Sequence, residues 1–308
     1  MTLIISYADK DGGIVVSDRF TSSEGRIVNR NFNKTIHVMG EDCSLVVSFT
    51  GHASIEAIPT CTKIVEFICG EKINDRYINI SRKRPASRFR TCSHIVANIA
   101  KGFKKISKGS YSLNLEVTIS GQHIYRNHLL PFFCVMKKQP KSFLVTINGS
   151  RPTDYLLDTH SHTFISGGYS LAYKSLGEAV FSQVRDARLN SCNRDGLTDV
   201  LVDGLRKFAD KRPFAIGRSI QVITSSFTDK KSVISFDNAK DFGPVDYATT
   251  LLNVTNPCNS PWIITPRGMS APLTLYGSSL SYVSGDYTIE LIPSEIGNGI
   301  SISRIPTR

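Results

Sequence analysis

No apolar run in this chain of 308 residues approaches the ~18 residues that a membrane-spanning helix needs. The N-terminus also lacks a basic region followed by an unbroken apolar block. Thr2 to Tyr7 is short and is followed at once by Asp9, Lys10 and Asp11, which argues against a secretory signal. There is no CxxC pair. The seven cysteines (43, 61, 69, 92, 134, 192 and 258) are scattered and odd in number, poor material for a disulfide framework or a zinc site. Neither a metal nor another cofactor is expected, and the expected setting is a reducing, cytoplasmic one without membrane contact.

Acidic residues are in short supply. Twenty-six face 37 basic ones, a net charge of +11, and the excess gathers in Arg82–Arg90 (RKRPASRFR) and in Lys101, Lys104, Lys105 and Lys108. Such a surface attracts polyanions. No nucleic-acid-binding signature accompanies it, so a solvated loop and helix face is the expectation and nucleic acid is not an expected partner.

The remaining composition is that of an ordinary globular protein, 41% hydrophobic and 20% charged. Leu3–Tyr7 and Gly13–Ser17 read as a hairpin across the turn formers Asp-Lys-Asp-Gly-Gly, and Thr35–Met39 and Ser44–Phe49 repeat the pattern. The period then becomes helical over His52–Cys69 and Ser93–Ile106. Strands return at Leu113–Ile119, Phe132–Met136 and Phe143–Ile147, and helices at Ser170–Leu189 and Leu197–Ala209. Ser219–Ser225 and Ser232–Phe236 form a last strand pair. Strands, two helices, strands, two helices, strands is the order of an α+β protein with paired sheets covered by helices, a four-layer αββα sandwich. From Asp241 the texture shifts to Pro, Asn, Ser and Gly with short β-like runs such as Leu273–Tyr276 and Tyr287–Ile292. The expected division is a domain over 1–240 and a β-rich C-terminal extension over 241–308.

The opening stretch carries the chemistry. If Met1 is removed, Thr2 holds a free α-amine close to its own hydroxyl. That amine, with a reference pKa of about 7.7–8.0, can take the hydroxyl proton near neutral pH. A nearby cation keeps it unprotonated. Lys34 can supply the cation, and Asp18 can hold the lysine through a charge-assisted hydrogen bond.

Thr2, Asp18 and Lys34 stand at the spacing seen in catalytic proteasome β-subunits and their HslV-type relatives, which are N-terminal-nucleophile (Ntn) hydrolases. The chain resembles that family further in the hairpin with Gly12 in its turn, in Val-Val-Ser-Asp running into Asp18, in the hydroxyls of Thr21 and Ser22, and in Phe49-Thr50-Gly51. The resemblance implies an Ntn-type, proteasome-like fold and threonine-type hydrolysis of peptide or protein substrates. It also implies that Gly51 supplies an oxyanion N–H, and that Thr21, Ser22 and Phe49 shape the substrate pocket. A homo-oligomeric ring or stacked assembly follows from it, and an ATPase unfoldase is a partner it would allow.

Two stretches depart from the family pattern. Relatives carry Gly-Ser-Gly before the third helix, whereas this chain has Ile165-Ser166-Gly167-Gly168, leaving Ser166 one place early as the supporting hydroxyl. In Pro213-Phe214-Ala215-Ile216-Gly217-Arg218 the glycine fits, but the family's Asp and Ser are missing. A catalytically silent assembly subunit of the same fold is therefore the alternative reading, and a polyanion-binding protein using residues 82–108 is the third.

Overall fold

A computed structural model describes residues 2–23, 26–29, 32–56, 58–70, 72–73, 91–106, 114–139, 142–147, 154–158, 161–166, 174–213, 215–237, 262–265, 268–270, 280–284 and 287–292. It is a mixed α+β structure, mostly sheet, with four helices among the described residues. In chain order the first strands are β1 (Ile4–Asp9), β2 (Gly13–Asp18), β3 (Thr21–Ser23), β4 (Arg26–Asn29), β5 (Thr35–Met39) and β6 (Cys43–Gly51). Two short strands, β7 (Ser54–Ile55) and β8 (Ile58–Pro59), precede the helices α1 (Thr60–Cys69) and α2 (Cys92–Ile106). Next come β9 (Leu115–Tyr125), β10 (His128–Gln139), β11 (Ser142–Ile147), β12 (Asp154–Asp158) and β13 (Ser161–Ser166). Helices α3 (Lys174–Leu189) and α4 (Arg194–Lys211) lead to β14 (Ile220–Ser226) and β15 (Lys231–Asp237). The last strands are β16 (Trp262–Thr265), β17 (Gly268–Ser270), β18 (Leu280–Ser284) and β19 (Tyr287–Ile292).

Two large sheets organise these elements. One has eight strands in the order β12-β13-β1-β2-β14-β15-β19-β18, and the other seven in the order β11-β10-β9-β6-β5-β16-β17. Alternation along the strands sorts side chains into three clusters, because successive residues point to opposite faces. Leu3, Ile5, Tyr7, Ile14 and Val16 of the first sheet cluster with Val180, Val184, Leu201 and Phe208 of α3 and α4. Ile36, Leu45, Val47, Val117 and Cys134 of the second sheet cluster with Ile64, Ile68, Ile95, Ile99 and Phe103 of α1 and α2. Ile4, Val15 and Ile223 of one sheet meet Met39, Val46 and Ile263 of the other.

The β1–β2 turn is fixed twice. Asp9 Oδ1 accepts from the N–H groups of Asp11 and Gly12, both at 2.9 Å. Arg194, the first residue of α4, donates to the carbonyls of Asp11 (2.8 Å), Gly13 (2.9 Å) and Ser225 (2.8 Å), tying that turn to the end of β14.

The helix read from His52 begins later than its apolar spacing predicts. Ser54–Ile55 and Ile58–Pro59 form the β7–β8 pair, and α1 starts only at Thr60, behind Pro59, a residue type tolerated at the start of a helix but not in its interior. The apolar run at 129–133 belongs to the first half of β10, paired to β9 across the Arg126-Asn127 turn, whose two residues have φ of 50° and 64°. Strands β12 and β13 add to the elements read from periodicity. The tail contributes edge strands to both sheets, with β16 parallel to β5 and β19 parallel to β15. The basic loop at 82–90, Leu273–Tyr276 and positions 170–173 of the expected third helix lie outside the described residues. No helix among the described residues is long and apolar enough to cross a membrane.

His37 sits on the inter-sheet side of β5. Its Nε2 lies 3.3 Å from Ser44 Oγ and 3.1 Å from Ser232 Oγ, so it spans the two sheets. Burial pushes its pKa down from 6.5 to about 3. The unfolded chain therefore takes up this proton first, and the stability contributed by neutral His37 is complete above pH 6.5 and lost as pH falls towards 3. Between pH 7 and pH 3 the wild type should lose on the order of 4 kcal/mol more than His37→Asn, as read by urea unfolding at the two pH values.

Candidate active site

Leu3, at the head of β1, and Asp18, at the end of β2, are bonded to each other twice. Leu3 donates its N–H to Asp18 Oδ1 at 2.8 Å, and Asp18 donates its own N–H to the Leu3 carbonyl at 3.2 Å. Thr2 is the residue before that clamp and is itself buried, 6% exposed. The sequence puts Thr2 sixteen positions from Asp18, and the antiparallel pairing of β1 with β2 removes the distance.

Lys34, just before β5, brings in the cation. Its Nζ donates to Asp18 Oδ1 at 3.1 Å and to the Phe20 carbonyl, and both charged side chains are almost wholly buried, at 1% and 0% exposure. Asp18 Oδ2 accepts two further N–H groups, from Phe20 and from Gly217, each at 3.2 Å. Four donors on one buried carboxylate fix its position. Burial lowers the pKa of the Lys34 ammonium, Asp18 counters by raising it, and the neighbouring Arg19 lowers it again. Arg19 is 7% exposed, and burial alone pulls its pKa down to about 10. The site thus gathers two buried cationic side chains, Lys34 and Arg19, around one carboxylate.

Gly51 closes β6. Its φ is +104°, in the region that glycine tolerates and side chains do not, and an added Cβ would stand 2.2 Å from the Asn114 carbonyl oxygen. Gly51→Ala should therefore cost about 2 kcal/mol or more in stability through backbone strain. If its N–H receives the oxyanion, kcat should fall on the order of 10²-fold with KM little changed. Thermal unfolding and steady-state hydrolysis of a peptide reporter check the two effects.

The other residues read from the sequence fall at varying distances from this centre. Ser166 ends β13 opposite Ile4, so its backbone is one strand across and two residues along from Thr2. Thr21 and Ser22 open β3, just past Phe20, whose carbonyl accepts from Lys34. Phe49 donates its N–H to the Lys34 carbonyl at 3.1 Å, but its ring is buried in the helix-side cluster, 6.2 Å and edge-on to Phe32. The structure unites Asp18, Lys34 and the start of β1, and turns the Phe49 ring into core.

Sequence reasoning missed two participants. Gly217 was matched as a glycine without a role, yet its N–H bonds Asp18 from 199 positions away, and an added Cβ would strike the Phe20 ring at 2.2 Å. No local signal marks such a contact. Arg19, adjacent in sequence to Asp18, could have been flagged as a second buried cation.

Among solved structures, the chain is similar to Anbu (ancestral beta-subunit) from Yersinia bercovieri at 13% identity, over 73% of this chain and 81% of that one, with a TM-score of 0.46. It is similar to an Anbu (Gly-1) mutant from Hyphomicrobium sp. strain MC1 at 11% identity, over 73% and 82%, with a TM-score of 0.46. A structure described as a helical assembly of the Anbu complex from Pseudomonas aeruginosa matches at 11% identity, over 73% and 81%, with a TM-score of 0.44. No protein-family model and no curated protein matches. The family resemblance read from the sequence is corrected by these neighbours. They are Anbu proteins, a distinct family, and none of them is HslV. Thr2, Asp18 and Lys34 define a local constellation, and a local constellation does not single out one family. At this degree of likeness no activity passes from those proteins to this chain.

Proposed function

We propose that this chain is a threonine-type amide hydrolase acting on peptide bonds once the bond between Met1 and Thr2 has been cut. The observation that carries the reading is the buried Lys34–Asp18 pair, whose carboxylate also holds the N–H of the residue next to Thr2. A buried ion pair is weak evidence for stability, because its desolvation cost offsets much of its attraction. Placed beside a hydroxyl residue at a chain start, it has a chemical use.

In the proposed reaction the α-amine of Thr2 takes the proton from the Thr2 hydroxyl, whose oxygen attacks the substrate carbonyl carbon. The oxyanion is received by the Gly51 N–H, and the protonated amine returns its proton to the leaving amine. Water then releases the acyl group from the Thr2 ester, with the same amine as base. Lys34 keeps that amine unprotonated, Asp18 fixes Lys34, and Ser166 assists as a supporting hydroxyl. Thr21 and Ser22 contact the substrate, while Phe49 backs the pocket from the core.

The architecture proposed for this chemistry is the four-layer αββα sandwich, for which the three hydrophobic clusters speak. The division into a core of 1–240 and a β-rich extension of 241–308 belongs to the same proposal, the extension supplying edge strands to both sheets. So does assembly into a homo-oligomer: Leu144 and Ile147, 55% and 53% exposed, stand on β11, the outer strand of the seven-stranded sheet among the described residues, and an exposed strand edge favours association.

The silent assembly subunit is the second reading, favoured by the missing Asp and Ser around Gly217, where a backbone N–H stands against Asp18 instead. Intact-mass measurement of purified protein, followed by hydrolysis of a fluorogenic acyl-peptide amide, separates the two. The hydrolase lacks Met1 and turns over the reporter, whereas retained Met1 or absent turnover favours the silent subunit.

A further inference from the structure

Cys43 and Cys92 are 49 positions apart in sequence and meet in one buried cluster in the fold. Cys43 opens β6 and Cys92 is the first residue of α2. Asp42 draws three segments together at this corner. Its Oδ1 accepts the Cys92 N–H at 2.8 Å, its carbonyl accepts the Ile124 N–H at 2.7 Å, and Cys43 lies directly opposite His123 in the β6–β9 register. His123 completes the cluster by hydrogen-bonding the Cys92 thiol. The corner is distant in function from Thr2, Asp18 and Lys34, and the proposed hydrolysis makes no use of it.

We propose that Cys43 and Cys92 are a redox-active dithiol, oxidised to an intramolecular disulfide by hydroperoxides, with Cys92 as the attacking thiolate and Cys43 as the resolving thiol. The roles follow from position. Cys92 is the first residue of α2, gives its own N–H to Asp42, and has the Cys43 thiol and the His123 imidazole beside it. The hydrogen bond from Cys43, with a smaller contribution from His123, brings the Cys92 thiol down to about 7 against the opposing effect of burial. Burial, foremost, pushes the Cys43 thiol up and keeps it protonated until its partner is oxidised. Cys92 retains 4% exposure and Cys43 none, so a small oxidant meets Cys92 first.

The chemistry balances. The Cys92 thiolate attacks one peroxide oxygen, the O–O bond breaks, and the leaving alkoxide or hydroxide takes a proton to leave as alcohol or water. Cys92 is then a sulfenic acid. The Cys43 sulfur attacks it, the S–O bond breaks, and the departing hydroxide leaves as water with the Cys43 proton. Two thiols are oxidised by two electrons and one peroxide is reduced. The disulfide closes a chain loop from β6 to α2 and constrains the unfolded state.

The test is peptide mapping of the full chain after graded treatment with hydrogen peroxide, denaturation and alkylation. Expected is a Cys43–Cys92 cross-link that dithiothreitol reverses, with the thermal midpoint of the oxidised protein raised by roughly 5 °C. In Cys43→Ser, dimedone should trap a sulfenic acid at Cys92, and Cys92→Ser should leave Cys43 unoxidised. The proposal is overturned if Cys43 and Cys92 both remain alkylatable while the exposed Cys192 is oxidised. A folded Cys43→Ser that gives no adduct at Cys92 overturns it as well. Should the serine variants fail to fold, the cross-link map of the wild type decides alone. None of these readouts depends on hydrolysis.

Discussion

Thr2→Ala should leave the protein folded and lower the proposed amide-hydrolase activity by roughly 10⁴-fold or more. The magnitude follows from what is deleted. Without the hydroxyl there is no covalent intermediate, and only binding and the oxyanion donor remain to accelerate the reaction. Alanine is as small as threonine for the purpose of Met1 removal, so the variant should be processed like the wild type. Stability should change by no more than about 1 kcal/mol, because the contacts that organise the corner belong to Leu3 and Asp18 rather than to the Thr2 side chain. Thr2→Ser keeps a hydroxyl on the same amine and should retain activity within about tenfold. A non-cleavable extension ahead of Thr2 is the complementary variant: it preserves the hydroxyl, converts the amine to an amide and should be as inactive as Thr2→Ala. Reporter hydrolysis, with intact mass confirming each N-terminus, reads all three. Equal turnover by wild type and Thr2→Ala would hand the case to the silent-subunit reading.

Much of this corner could be read in advance because its parts are close in sequence. Asp18 ends β2 and Lys34 stands just before β5, both within the first 34 residues, and the turn-forming Asp-Lys-Asp-Gly-Gly already folds β1 back on β2. Short runs rich in Ile and Val, bounded by turn formers, located the first strands in the same local way. What stayed hidden was set by long-range pairing. The Gly217 N–H on Asp18, the Cys43–Cys92 contact and the parallel addition of β16 to β5 are made by segments far apart in the chain, and nothing in their local composition names the partner. Phe49 shows a different limit. A strand places residues 49 and 51 on the same side, yet the left-handed turn at Gly51 breaks that regularity, and the Phe49 ring joins the helix-side core. The family placement failed for a related reason, since the residues that resembled one family sit on a corner that does not define the rest of the chain.

Lys34→Met should destabilise the fold by about 3–5 kcal/mol and reduce hydrolysis by roughly 10²–10⁴-fold. The stability loss does not measure the worth of the ion pair. It arises because Asp18, fully buried, keeps its contacts to three N–H groups and loses the ammonium bonded to it. Pairing the change with Asp18→Asn removes that orphaned charge, so the double variant should regain much of the lost stability while remaining inactive, a separation that a purely structural pair would not give. The pH dependence supplies a further mark. The folded-state pKa of Lys34 is lowered from 10.5, chiefly by burial, so between that lowered value and 10.5 the unfolded chain holds more protons than the folded one. Stability from this group therefore rises with pH across that window, and the burial penalty is present in full below it. Urea midpoints measured from pH 8 to pH 10 should climb in the wild type relative to Lys34→Met. A parallel course for the two proteins would mean that the ammonium is better solvated than its 1% exposure indicates. It would then be too well screened by water to hold the Thr2 amine unprotonated.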